Sequence, residues 1–558
     1  VNLSVSPCNL APDQLAWAKN VYPDTVGELK MRKTSTAFAS LEADGFLYAQ
    51  LMTCKLFQFY DGVVNRLVVW RTPGILNGES VQLRLWHYTE DAGFQQLDTG
   101  IEYQSTPIKP DAFKWRNMLY LLTGGEEYGY RIEAQVDAPF LKAVTLSSIW
   151  LTGDAESVKA SVGAVYRGSG ALAGFVDQPT MIRWLEVGDP DSLLDLAKAV
   201  FIRREDGGRI VAMAEVAIAG GATFVEPYFL IIKDNATYIA SGLPPTSGTD
   251  GTLTVNRILW EGCVSKETLV QSEHGVIWCS GKNVWLVQPG QPTPIPIGRA
   301  IAEYLKKRGG ASDLWHACYH DHTYILSVPA STSRDVSLNH TEQWRCDMRS
   351  FPEPRWWGPF DNESDSVISF TVDIGIEDLI SGVVVQDIGQ VFLEREDSAF
   401  LVDHGGMGLL VELYPEVEIR FPSVDFGDPG SRKIIPGVEI EAQIANHVQT
   451  EVQVLLNGNE GEVAEQDTTA FAESSTTAFV LDSSALDQHL LGDGFNLYVL
   501  QPPKGLRFLA RATQPIIKAI FGPDGEAEFI GVQPFALRSL ALRVRRLSSR
   551  TRRKGSVL

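Results

Sequence analysis

The stretch Glu273-His-Gly-Val-Ile-Trp-Cys-Ser-Gly-Lys-Asn-Val-Trp-Leu-Val287 reads as two short strands around a tight polar turn. Residues 275–279 and 284–287 are runs of β-branched and aromatic residues, which suit a pleated, half-buried surface. Between them, Ser280-Gly-Lys-Asn283 has the residue types of a hairpin turn. The same unit recurs at Lys233-Asp-Asn-Ala-Thr-Tyr238. Its pattern is exposed polar residues, strand, polar turn, strand, then a glycine-containing turn.

Outward from these hairpins the texture repeats. Arg66-Leu-Val-Val-Trp-Arg71, Val81-Gln-Leu-Arg-Leu-Trp86, Met118-Leu-Tyr-Leu-Leu122, Phe229-Leu-Ile-Ile-Lys233, Thr323-Tyr-Ile-Leu-Ser-Val328 and Glu451-Val-Gln-Val-Leu-Leu456 are all short apolar runs bounded by turn residues. Many short strands at even spacing predict an all-β chain, a sandwich, barrel or propeller. The recurring hairpin unit favours a β-propeller over residues 1–410, with an N-terminal lead strand. No consensus is regular enough to count blades. Two helices are expected, at Asp191-Ser-Leu-Leu-Asp-Leu-Ala-Lys198 and at Gly298-Arg-Ala-Ile-Ala-Glu-Tyr-Leu-Lys-Lys307. From about residue 411 the strands lengthen, and a C-terminal β-sandwich-like module is expected over 411–547. A basic tail follows at 548–558. Arg543, Arg545 and Arg546 begin this basic character, and Arg550, Arg552, Arg553 and Lys554 continue it.

The 558 residues are enough to bury large cores, and 44% hydrophobic with 21% charged is a globular composition. No apolar run reaches about 18 residues, and Val1-Asn-Leu-Ser-Val-Ser-Pro-Cys8 has neither the basic nor the apolar region of a secretory leader. Forty-eight basic side chains against 69 acidic ones leave a formal charge of -21. That argues against a sequence-specific nucleic-acid reader, and is compatible with an acidic channel along which DNA slides. The six cysteines contain no CxxC pair and are expected as reduced, partly buried thiols.

A second stretch carries a resemblance. Val424-Asp-Phe-Gly-Asp-Pro-Gly-Ser-Arg-Lys433 is a turn cluster opening the alternating strand Pro436-Gly-Val-Glu-Ile-Glu-Ala442. It is similar to a turn late in the tail nozzle, hub or DNA-stabilisation proteins of short-tailed bacteriophages. Other phrases of that family are resembled in the same order. They are Asn20-Val-Tyr-Pro-Asp-Thr-Val-Gly-Glu-Leu-Lys-Met-Arg32, Trp184-Leu-Glu-Val-Gly-Asp-Pro-Asp191, the block from Asp206 to Ile301, and Trp344 with Trp356-Trp357. The resemblance spans roughly residues 10 to 450. It implies a structural virion protein that forms a sixfold ring at the distal end of a phage tail. The ring would be a homohexamer acting as conduit or plug for genome DNA during packaging retention and ejection. An adaptor ring, and tail fibres or a needle, would be its partners. Assembly in a bacterial host cytoplasm and no enzyme activity are expected. A carbohydrate-binding or carbohydrate-degrading propeller, such as a receptor-binding tail protein, is the alternative.

No catalytic, cofactor-binding or metal-binding residue is assigned. His316-Ala-Cys-Tyr-His320-Asp-His322 has metal-ligating side chains, but its spacings of four and two suit a helix and a strand respectively. A hairpin with His320-Asp-His322 in its turn and Cys318 buried is expected instead. Glu126-Glu127, Asp189/Asp191, Asp361/Glu363/Asp365 and Glu394/Glu396 are the carboxylate pairs a glycosidase would need. The glycine-rich Gly168-Ser-Gly-Ala-Leu-Ala-Gly174 matches no phosphate-binding motif and is expected as a loop.

Overall fold

In the computed structural model the described residues run almost continuously from 111 to 360, with breaks at 123–128, 135–140, 147–148, 151–158, 218–225, 309–313 and 332–339. Outside that range they are β-strands, together with residues 15–16, 20 and 421. The chain divides into two units, one of 37–354 and 364–395, the other of 1–36, 355–363 and 396–558.

The first unit is a propeller of antiparallel sheets. Each sheet is an up-and-down meander of neighbouring strands. In order they begin at Thr53–Tyr60, Asp111–Trp115, Val162–Tyr166, Ile210–Val216, Val270–Ser272, His316–His320 and Val367–Asp373. The opening strand of each of these sheets adjoins the next sheet, and Val367–Asp373 returns beside Thr53–Tyr60, so among the described residues seven such sheets close into a ring. The outer strand of the seventh sheet is Thr36–Leu41, placed beyond Val367–Asp373, Leu379–Val385 and Gln390–Arg395. The N-terminal part of the chain thus completes the last blade.

Local chemistry explains the meanders. The first two strands of the second, third and sixth sheets are joined by two residues only, Arg116-Asn117, Arg167-Gly168 and Asp321-His322. All six have positive φ, between 39° and 76°. That is the two-residue hairpin whose twist matches the strands. Ser280-Gly-Lys-Asn283 closes as expected, with Ser280 N donating to Asn283 O at 2.9 Å.

The core lies between successive sheets. Phe113, Trp115, Tyr120 and Trp150 pack against Leu172 and Leu185 between sheets two and three. Tyr166 and Trp184 meet Phe229, Ile231 and Tyr238 between sheets three and four. Leu230, Ile232, Val276 and Trp278 fill the next seam. Ring stacking orders these layers, with Phe113 on Tyr120 at 4.9 Å and Tyr166 on Phe229 at 4.9 Å.

Two expectations are corrected here. Gly168 to Gly174 is not a loop, because Ser169–Ala173 is a fully buried strand. Its glycines are there for close approach: a Cβ on Gly170 would sit 2.9 Å from Trp115 Cζ3 and 2.7 Å from Leu185 Cδ1. The expected helix at 191–198 is also absent apart from the 3-10 turn Leu196–Lys198. Leu193 instead bridges Leu185, and Leu194 N donates to Trp184 O at 2.9 Å. Sheet pairing has overridden a weak local helical pattern. The second expected helix forms, as Arg299–Ile301 followed by Ala302–Lys307. Among the described residues no helix is long and apolar enough to cross a membrane.

The second unit joins the two ends of the chain. Trp17–Lys19 pairs with Arg355–Phe360 on one side and Val417–Arg420 on the other. Gly505–Ala512 and Val448–Leu455 extend that sheet. Val21–Pro23 and Leu29–Met31 lead to Phe535–Arg546 and then to the long strand Lys433–Ile444, which also meets Tyr498–Leu500 and Phe479–Val480. A third sheet holds Phe400–His404, Met407–Glu412, Ile516–Phe521 and Ala527–Phe529. The lead strands expected with the propeller, and residues 396–410, therefore group with the C-terminal module. Arg543, Arg545 and Arg546 lie on a paired strand rather than in a tail. The 427–430 turn, the Ser/Thr-rich 467–477 stretch and residues 548–558 lie outside the described residues.

Gly163 tests the seam between sheets two and three. A Cβ there would clash with Phe113 Cδ1 and lie 2.7 Å from Leu122 Cδ1. Gly163→Ala is expected to destabilise the protein by about 1–3 kcal/mol, measured as a lowered urea midpoint at unchanged slope. An unchanged midpoint would mean that this seam is not tightly packed.

Candidate functional site

The most exposed aromatic surface among the described residues lies at one end of the third and fourth sheets. Val200–Phe201 and Thr254–Leu259 run toward this end, Ile210–Val216 starts from it, and Tyr228–Lys233 turns into Thr237–Ser241 there. Phe201, the 203–209 loop, the 234–236 turn and Trp260 therefore share it.

The site is built around Asp206. Its carboxylate accepts from the Tyr238 hydroxyl at 2.5 Å and from the Arg257 guanidinium at 3.0 Å. Both bonds hold the carboxyl below the usual range. Burial, with Asp206 adding to it, pushes the Tyr238 phenol up to about 12. Tyr238 is thus a hydrogen-bond donor at neutral pH and not a nucleophile. The loop bearing Asp206 is held from beneath by Lys233. This buried lysine donates to Arg203 O at 2.9 Å and Gly207 O at 2.8 Å. Burial lowers its pKa, opposed by Asp206, Asp234 and Glu205. Asn235 adds a 2.9 Å bond to Asp206 O.

Arg257 carries this order outward. Its guanidinium carbon stands 3.1 Å from the centroid of the Trp260 ring, and that indole is 71% exposed. Arg204 stands in the same way over exposed Phe201, at 3.4 Å. The result is two aromatic rings, each capped by arginine, beside a carboxylate already satisfied by its neighbours. Such a surface can stack and donate hydrogen bonds. Sequence reasoning passed over it. Trp260 follows a strand like several other tryptophans, and only its exposure sets it apart.

The sequence candidates are dispersed. His316 is buried, with Nδ1 3.1 Å from Leu314 O, whereas His322 sits in the hairpin turn with Nδ1 2.7 Å from Glu273 Oε1. A hairpin forms there with Cys318 buried, but its turn is Asp321-His322 alone, and His320, expected in the turn, ends the strand His316–His320 paired with Thr323. Among the described residues no three His, Cys, Asp or Glu side chains are gathered for a metal. Cys263, Cys279, Cys318 and Cys346 are buried. Asp191 is bound to Arg131, and Asp189 accepts from Asp191 N at 3.2 Å. The Gly188-Asp-Pro-Asp191 turn is anchored further by Trp150 Nε1 donating to Pro190 O at 2.9 Å. Trp344 and Trp356 are buried on strands. Glu126, Glu127, Asp361, Glu363, Asp365 and Glu396, and the Glu394 side chain, lie outside the described residues.

No protein-family profile matches the chain, and no curated protein matches it. Solved structures do. A mutant Trypanosoma rangeli sialidase displaying trans-sialidase activity is 9% identical with a TM-score of 0.34, over 95% of this chain and 97% of that one. The WD40 domain of Toxoplasma gondii coronin is 10% identical with a TM-score of 0.35, over 69% and 87%. A Bombyx mori GH32 β-fructofuranosidase is 9% identical with a TM-score of 0.23, over 92% of each chain. Enzymes thus stand among the structures this chain is similar to, and the expectation that it is not an enzyme is corrected on that finding. At these scores the likeness assigns no substrate.

Lys233→Met would leave Arg203 O and Gly207 O without their donor, an expected loss of about 1–3 kcal/mol of stability. Urea denaturation measures it. A variant as stable as the parent would show that the lysine does not hold this loop.

Proposed function

We propose that this chain is a structural subunit of a bacteriophage tail, associating with further copies of itself in a ring at the distal part of a short tail and surrounding the path of the genome. The order of the phrases between Asn20 and Lys433 supports this reading, and the observation that carries it is Trp260. A tryptophan exposed to 71%, held in place by an arginine that is itself fixed by Asp206, is a preorganised contact residue. Tryptophan and arginine dominate the energetics of protein–protein contacts, and a side chain already immobilised loses little entropy on binding. In a closed ring the contact is heterologous, so this patch meets a different patch on the next copy. The acidic balance of the chain suits a lumen that DNA passes without sticking. On this reading the partners are an adaptor ring, and fibres or a needle, and the chain assembles in the bacterial host before joining the virion.

A second reading rests on the same residue. The exposed indole of Trp260, linked to Asp206 through Arg257, also suits a sugar ring, as in a carbohydrate-binding propeller on a receptor-binding tail protein.

Native mass spectrometry of the full chain separates the two. A particle near six times the 61.4 kDa subunit, reduced to monomer by Trp260→Ala with the melting temperature kept, is the outcome expected of the ring. A parent protein that stays monomeric with its adaptor present, and binds a polysaccharide in a Trp260-dependent way, would replace the ring reading with the second.

A further inference from the structure

The first hairpins of the fifth and sixth sheets meet at their tips. Glu273-His274 closes the fifth, where Ser272 faces Gly275, and Asp321-His322 closes the sixth, where His320 faces Thr323. These residues are 49 apart in sequence, yet His322 Nδ1 donates to Glu273 Oε1 at 2.7 Å. The same oxygen lies 3.6 Å from His274 Nε2. His274 is held in turn, with Nε2 3.2 Å from Met348 O and its ring stacked on Phe351 at 4.8 Å. Tyr319 faces the carboxylate from the sixth sheet, although its hydroxyl makes no hydrogen bond of normal geometry. One carboxylate is thus shared by an imidazole from each hairpin, with a phenol beside it.

We propose that Glu273 is a pH-dependent staple between the fifth and sixth blades, strongest in mildly acidic solution. Among the described residues Glu273 is the one carboxylate within ion-pair distance of His322. The remaining charged or titratable groups around the joint are Asp321, Asp347, Cys346 and Arg349. Arg349 is taken up by Asp347, at 2.9 Å and 3.1 Å.

The two ends of the pH window have opposite signs. The hydrogen bond to Glu273 raises the His322 pKa, against slight burial and Arg349, with Asp321 adding to the rise. Its contribution is complete below the ordinary histidine value of about 6.5 and is lost as pH rises through the higher folded value. Partial burial pushes Glu273 up, but Tyr319, His322 and His274 outweigh it and leave the carboxyl below its usual range. Its contribution is present above the ordinary glutamate value of about 4.3 and is lost as pH falls through the lower folded value. Between these limits Glu273 is charged and His322 is protonated, and both hydrogen-bond partners carry charge.

The test compares the full-length protein with His322→Gln and Glu273→Gln across pH 4 to 9. The melting-temperature difference from the parent is expected to peak in mildly acidic solution and to shrink on either side, for both variants. A difference that does not change with pH would overturn the staple. The parent alone supplies an independent reading if a variant does not fold. With histidine labelled at Cε1, the His322 resonance is expected to titrate above the ordinary value, and titration at or below that value would overturn the proposal. Where Glu273→Gln folds, it should bring the His322 titration down, and an unmoved titration would again overturn the assignment.

Discussion

Each propeller sheet has two faces, and each face must be covered by the next sheet. That requirement organises the first unit. The second sheet presents Phe113, Trp115 and Tyr120 to the third, and the third presents Tyr166 and Trp184 toward Phe229 and Tyr238 of the fourth. Large rings on one side need small residues on the other. Gly163, Gly170, Ala171 and Ala173 supply them, and the run that looked like a flexible loop is a strand thinned to receive Trp115. Close packing then makes the glycines as necessary as the aromatics.

Ring closure is a consequence of the same constraint. An open stack would leave the first and seventh sheets each with an uncovered face. The chain brings Val367–Asp373 beside Thr53–Tyr60 and completes the last sheet with Thr36–Leu41. Residues just before that strand belong to the other unit, whose sheets are likewise built from both ends of the chain. The propeller is therefore not a domain followed by a tail module. It is an insertion in a β unit that the N-terminal and C-terminal segments make together.

The polar features sit at the two ends of these sheets, where side chains escape the inter-sheet core. At one end, Lys233 fixes the loop, Asp206 fixes Arg257, and Arg257 orders Trp260. At the other, Glu273 gathers groups from two hairpins. In both, the carboxylate is paired with side chains of its own sheet or of the next one.

The sequence by itself determined the strands, the hairpin turns at Lys233 to Tyr238 and Ser280 to Asn283, the helix before Lys307 and the buried cysteines, because each follows from neighbours a few residues apart. It left the number of sheets open. The repeat is carried by backbone geometry, and residues as different as Arg116-Asn117, Arg167-Gly168 and Asp321-His322 fill the same turn. The tertiary structure alone decided which distant segments pair, and that in turn decided the rest. Leu193 became a bridge partner rather than part of a helix, the lead strands joined the C-terminal module, and Asp206 met an arginine 51 residues away. Local propensity amounts to tenths of a kcal/mol per residue, whereas pairing a strand and covering its face satisfies several backbone groups and buries whole side chains at once.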